Sequence, residues 1–209
     1  VTINGRDPER LQLAARRLRR DTGGSVYHAV LDVTQDDAAD RLAAGAEPFD
    51  ILVTNAEGPP PSVSGALDPD AFRASFNVNT VAMVALIAAA LPGMRQRGFG
   101  RIVNILSVAA VRPVLGLDAS AASRAGLVAG LRGPAREAAR HGVTINGILP
   151  GPILTERTAR YVAARAAAGA GQPTRSALIC SRPFLLIALA RPKKSGRYAP
   201  ICARPWPAS

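Results

Sequence analysis

Short apolar runs alternate with longer segments whose apolar residues recur every three or four positions. Val1 to Asn4 reads as a short strand closed by Gly5-Arg6. Asp7 then stands where a helix N-cap belongs, with Pro8 at the first helical position. Leu11, Ala14, Ala15 and Leu18 mark that helix's inner face. Gly23-Gly24 stops it, and Val26 to Val33 predicts a buried strand. Asp36 to Gly45 predicts a helix with Ala38, Leu42 and Ala43 inward, and Phe49 to Thr54 a third strand ending in Asn55. Beyond the turn-rich Gly58-Pro59-Pro60-Pro61, the pattern predicts a helix over Pro69 to Met94 and a strand over Arg101 to Leu106. A helix over Ser120 to His141 follows, then a strand over Val143 to Ile148 closed by Pro150-Gly151-Pro152.

Strands and helices alternating at this spacing build βαβ units. The fold class is therefore α/β, a Rossmann-like doubly wound parallel sheet covered on both faces. Residues 1–170 form one domain without internal repeats, and 171–209 lie outside it. Ligands bind such sheets beyond the carboxyl ends of the strands. That rule selects the residues ending them: Arg6, Asp32, Asn55, Ser107 and Gly151. Pro134 falls inside the last predicted helix, where an interior proline costs about 3 kcal/mol or a kink.

Composition changes this picture little. The chain of 209 residues is 48% hydrophobic, enough for one sizeable core, and its few aromatics (4%) favour close packing of Ala- and Gly-rich helices on a sheet. No secretory segment and no apolar run long enough to span a bilayer is read from the sequence, so a soluble cytoplasmic protein with no membrane contact is expected. The net charge of +11 suggests nucleic acid, but residues 1–170 carry only +4 of it, and the remaining +7 belongs to 171–209. That segment has few aromatics for base stacking (Phe184, Tyr198, Trp206), which argues against a nucleic-acid partner. Cys180 and Cys202 suggest neither a disulfide framework nor a metal site.

Four motifs on the right elements and in the right order resemble the short-chain dehydrogenase/reductase family over about residues 1–158. Thr54-Asn55-Ala56-Glu57-Gly58 is similar to the Asn-Asn-Ala-Gly turn after the family's fourth strand. Asn77-Val78-Asn79-Thr80 resembles the helix segment carrying the catalytic Asn, here Asn79. Gly100 to Ser107 resembles the fifth strand, which places Ser107 at the catalytic Ser. Pro150-Gly151-Pro152-Ile153-Leu154-Thr155 resembles the loop facing the nicotinamide carboxamide. The 3-oxoacyl-carrier-protein reductases are the nearest in pattern. The resemblance implies a reduction of a small carbonyl or acyl-thioester substrate, and a homo-oligomer formed through helices 69–94 and 120–141.

On cofactors it implies NADP(H) rather than NAD(H). Arg6 ends the strand where the family selects between them, and a guanidinium there suits a 2′-phosphate, although a solvated surface Arg is the plainer reading. Asp32 and Val33 correspond to the pair contacting adenine. Asn55 and Ala56 correspond to a turn close to the ribose, and Pro150, Gly151 and Thr155 to the nicotinamide end.

Three departures stand out. The family's first strand and its glycine-rich pyrophosphate turn find no match, so a chain lacking them, with weakened cofactor affinity, is expected. The Tyr-x-x-x-Lys pair falls on Ser120 and Arg124, thirteen residues beyond Ser107 as in the family. Arg124 keeps the charge for the ribose, yet its high pKa suits proton transfer poorly. An inactive, non-catalytic relative is therefore the alternative to an enzyme. Glu57 replaces a glycine and sets a carboxylate either beside the cofactor cleft or in solvent. The basic segment 171–209 departs too: suitable codons for Arg191 to Pro200, read two bases later, give Pro-Glu-Glu-Val-Gly-Ala-Ile-Cys-Ala, similar to the family segment missing here. A frame-shifted or disordered tail is expected.

Overall fold

The computed structural model describes residues 1–44, 48–57, 67–112, 114, 116–151, 159 and 163, and the backbone of 184–188 and 204–205. Strand β1 (Thr2–Gly5) pairs in parallel with β2 (Tyr27–Val30). Helix α1 (Pro8–Thr22) joins them: the Asp7 side chain accepts from the Glu9 and Arg10 amides, and left-handed Gly23 closes its end. Leu11 and Ala15 are buried, but Ala14 and Leu18 of the expected inner face are exposed. For Leu18 the cause is length: fifteen helical residues span about 22 Å, whereas four-residue strands offer about 13 Å of sheet beneath them. β2 stops short of the predicted Val33 because the Asp32 carboxylate accepts from the Thr34 amide and hydroxyl, turning the chain.

Helix α2 (Ala38–Ala44) leads toward β3 (Ile51–Asn55), which opens a second sheet with β4 (Gly100–Ile105), β5 (Val143–Pro150), β6 (Phe184–Ala188) and β7 (Arg204–Pro205), in that order. The first three run parallel, whereas β6 is antiparallel to β5 and β7 to β6. The sheet is thus mixed rather than parallel throughout, and its antiparallel strands come from the segment placed outside the fold by sequence. The apolar run Phe184-Leu185-Leu186-Ile187-Ala188 supplies a partner for the otherwise bare edge of β5.

Helix α3 (Pro69–Phe76), a π-helical turn (Asn77–Val81) and α4 (Ala82–Arg97) form one rod. Its inner residues Met83, Ile87, Ala90 and Met94 join Ile102, Val143, Ile145 and Leu149 in the core. By length and composition the 29-residue rod could cross a bilayer, with mean hydropathy 1.8 over its most apolar window, which corrects the expectation that no run is long enough. Such helices also occur in the cores of globular proteins, and the inner stripe here has that role. Only 28% of the window is buried, however, and Phe76, Val81 and Val84 face outward.

The predicted helix over Ser120 to His141 divides into α5 (Asp118–Gly130) and α6 (Arg132–Ala139) around Leu131. The break puts Pro134 in the first turn of α6, where its missing N–H and fixed φ are tolerated, so the expected cost is largely avoided. Gly142, at φ +72°, leads into β5; a Cβ there would stand 2.1 Å from the Gly98 carbonyl oxygen.

On β4 and β5 the residues facing α4, α5 and α6 are buried, while Val103, Ile105 and Ile148 on the opposite face are half-buried. Ile51 and Val53 of β3 are exposed. Among the described residues, helices therefore cover one face of this sheet rather than two. The β1–β2 ribbon and the five-stranded sheet are separate, and β1 and β3 each keep one unpaired edge among the described residues.

Candidate active site

The predicted residues gather in two groups at strand carboxyl ends. In the first, one helical turn of α5 brings Ser120 and Arg124 onto the same face. Both are buried, at 6% and 7% exposure, deep for a guanidinium. One Arg124 nitrogen donates to the Ser120 Oγ, and the other donates to the Ala56 carbonyl at 3.1 Å. Arg124 therefore ties α5 to the chain just beyond β3.

Asn79 sits in the π-helical turn, a distortion that often accompanies functional positions. Its side-chain N–H donates to the Ser75 Oγ at 3.1 Å, and the Ser75 and Ser123 hydroxyls are 2.9 Å apart. Ser123 donates onward to the Ser120 carbonyl at 3.1 Å. With that proton committed, Ser75 must be the donor between the two hydroxyls. The chain of bonds then has one direction, from Asn79 through Ser75 and Ser123 to Ser120. Thr80 also donates to the Ser123 carbonyl, at 2.7 Å. Ser75 and Ser123, fully buried, were missed from sequence. Their signal was their spacing: Ser75 precedes Asn79 by four residues, and Ser123 adjoins Arg124.

Ser107 caps a 3-10 turn (Val108–Ala110), its Oγ accepting from the Ala109 amide at 3.2 Å. Among the described residues its own O–H has no acceptor. That turn packs against α5, but Ser107 and Ser120 are not hydrogen-bonded to each other. Below them, Thr54 donates to Asn104 at 2.7 Å and Asn104 to the Asn146 carbonyl at 3.1 Å, a polar stitch across β3, β4 and β5 that sequence reasoning also missed. Asn55 is exposed at the end of β3, and Pro150 and Gly151 are half-buried at the end of β5. Thr155 lies outside the described residues.

The second group spans both sheets. One Arg6 nitrogen lies 4.0 Å from Asp32 Oδ2 and the other 3.9 Å from Glu57 Oε2. The Glu57 side chain is 64% exposed, as the solvent reading has it, and its carboxylate lies beside Arg6. Val33 packs against the core. The Thr34 amide, then the Thr34 hydroxyl, hold the Asp32 carboxyl below its usual range; Arg6 adds to this and burial opposes it. A lowered folded pKa contributes stability that is present above the unfolded value and lost as pH falls through the folded one. Asp32→Asn should therefore be less stable than the parent at neutral pH, and the difference should shrink as pH falls through the lowered folded pKa of Asp32. Urea midpoints measured across that range test it; a gap that persists in acid would contradict it. Among the described residues no three His, Cys, Asp or Glu side chains cluster as a metal site would require.

The family model for short chain dehydrogenase matches residues 1–166. The chain belongs to the short-chain dehydrogenase family. The acetoacetyl-CoA reductase of Shinella zoogloeoides is 33% identical over 147 residues, covering 68% of this chain and 60% of the relative. A 3-oxoacyl-[acyl-carrier-protein] reductase of Mycobacterium avium is 34% identical over 143 residues, covering 66% and 56%. Among solved structures, an NADPH-bound short chain oxidoreductase from Pseudomonas aeruginosa PAO1 "containing an atypical catalytic center" superposes with a TM-score of 0.72 at 28% identity, covering 81% of this chain and 68% of that one. A 7α-hydroxysteroid dehydrogenase complexed with NADH superposes at 0.71 with 26% identity, covering 78% and 64%. The chain spans about 60% of the length of the acetoacetyl-CoA reductase it matches.

Proposed function

We propose that this member of the family is an NADP(H)-dependent oxidoreductase of the cytoplasm that reduces a carbonyl, with 3-oxoacyl thioesters as the substrate class, to the alcohol. The reading rests on the buried Ser120–Arg124–Ala56 group, which occupies the family's Tyr-x-x-x-Lys position and is bonded through Ser123 and Ser75 to Asn79. The acetoacetyl-CoA and 3-oxoacyl reductases among the relatives support the substrate class, and the NADPH-bound structural neighbour is compatible with the coenzyme.

The residues present fit the coenzyme at its ends. Arg6 suits a 2′-phosphate, Arg124 a ribose hydroxyl, and Gly151 the nicotinamide loop, whereas no pyrophosphate cradle is found among the described residues. When bound, the coenzyme supplies a hydride. Ser107, with its O–H unspent, donates to the substrate carbonyl oxygen and polarises it. Arg124 stays protonated and donates to Ser120, which leaves the Ser120 O–H, or a water beside it, as the proton source. Asn79 and its serine chain hold the Ser120 turn in place.

NADPH fluorescence titration tests this. The parent should bind, and Arg6→Ala should weaken NADPH about tenfold while leaving NADH nearly unchanged, since one charge-assisted bond to the phosphate is worth about 1.5–3 kcal/mol. If neither coenzyme binds, the reading fails. Binding without turnover of a 3-oxoacyl thioester would favour a second reading, a non-catalytic relative that associates with like subunits. The outward Val81 and Val84 on the α3–α4 rod support that association, which the family resemblance expects through helices 69–94 and 120–141.

A further inference from the structure

We propose that Glu57 is a selectivity residue that works against a 2′-phosphate at Arg6; the inference rests on the coenzyme reading above. The Arg6 guanidinium is shared between carboxylates from two different strand ends, Asp32 after β2 and Glu57 after β3. Bidentate capture of a phosphate needs two guanidinium N–H groups aimed the same way. Here each terminal nitrogen of Arg6 faces its own acid.

The two acids are not equivalent. Asp32 is fixed in its turn by two bonds from Thr34 and offers Arg6 its remaining oxygen. Among the described residues Glu57 has Arg6 as its partner and no bond that fixes it elsewhere. Its side chain is mostly exposed, so it can swing away, but only by giving up the ion pair. A 2′-phosphate therefore competes with Glu57 for the same nitrogen. The glycine that the family resemblance places here would carry no charge and offer no competition. Arg6 alone would give strong preference for the phosphorylated coenzyme, and Glu57 weakens that preference.

The test uses the full chain and two small probes, 2′,5′-ADP and 5′-AMP, which differ by the 2′-phosphate. Isothermal titration of the parent, Glu57→Gln, Arg6→Ala and the double variant gives the ratio of their affinities. Glu57→Gln should tighten 2′,5′-ADP about fivefold and 5′-AMP less than about twofold, the scale of one screened charge pair near 4 Å. The gain should vanish in the double variant, because without Arg6 there is nothing to compete for. Equal tightening of both probes would show a general charge effect and overturn the proposal, as would an unchanged ratio or a gain that survives Arg6→Ala. If neither probe binds any of the four proteins, the coenzyme reading falls and takes this inference with it. Matching thermal melts of the parent and Glu57→Gln exclude a folding defect at this exposed position.

Discussion

Arg124→Ala should be the most damaging single change at the site, lowering stability by about 2–4 kcal/mol, since it deletes two charge-assisted bonds worth about 1.5–3 kcal/mol each before relaxation. Truncation leaves the Ala56 carbonyl and the Ser120 Oγ without their arginine donors in a region with little access to water. For a chain of this size the loss corresponds to a fall of about 4–16 °C in Tm. Arg124→Lys keeps the charge but has a single nitrogen, which cannot reach both acceptors in the same fork geometry, so it should fall between parent and alanine. Circular dichroism melts of the three proteins measure the series, and NADPH titration of each reads the coenzyme end. If Arg124→Ala melts with the parent, the guanidinium is not the tie between α5 and the end of β3. If the melt falls while NADPH affinity stays constant, Arg124 is structural and the ribose role is lost.

The group around Arg124 also shows where sequence reasoning reached and where it stopped. Ser120 and Arg124 were legible because helical spacing is rigid: four residues along α5 return to the same face whatever surrounds the helix. Arg6, Asp32, Asn55 and Gly151 were legible because strands end where apolar runs end. Ser75 and Ser123 were not, since a serine on an Ala-rich helix gives no sign of what it faces. Only the crossing of α3 and α5 brings the two hydroxyls together. The limits of β2 were missed for another reason, and the break at Leu131 was anticipated only as a cost or a kink at Pro134. Both depend on local bonds, Asp32 with Thr34 and the change of helix near Pro134, that a periodicity does not contain. The antiparallel β6 had a visible apolar run, but its pairing partner and direction are tertiary facts. The Arg6–Glu57 pair had the same limit: both residues were noticed, one for attraction and one for damage, but their proximity joins two sheets and is written in neither segment.

Fusing an apolar strand, a glycine-rich turn and a helix ahead of Val1 is expected to raise stability and coenzyme affinity more than any substitution within the chain. Among the described residues β1 and β3 each present an unpaired edge, and the Arg6–Glu57 pair shows that their carboxyl ends are close. Hydrogen bonds alone would not decide the outcome. A five-residue strand adds a ladder worth about 1 kcal/mol per bond, which is offset by about 1–2 kcal/mol of backbone ordering per residue. Apolar burial decides it. Ile51 and Val53 are 63% and 58% exposed on β3, and full burial of each such side chain contributes about 1.5–3 kcal/mol. The inserted strand adds its own side chains on both faces, so it must be apolar throughout, and an alternating polar strand of equal length is the control. The turn contributes separately, through backbone amides at a helix N-terminus that can hold a pyrophosphate. The two effects can therefore be separated in one experiment. The apolar fusion should melt about 10 °C higher than the parent and bind NADPH about tenfold tighter, about one charge-assisted bond's worth. Bulkier residues in place of the turn glycines should keep most of the thermal gain and lose the affinity. A fusion that melts no higher than the polar control would mean that β1 and β3 do not flank a single strand's width.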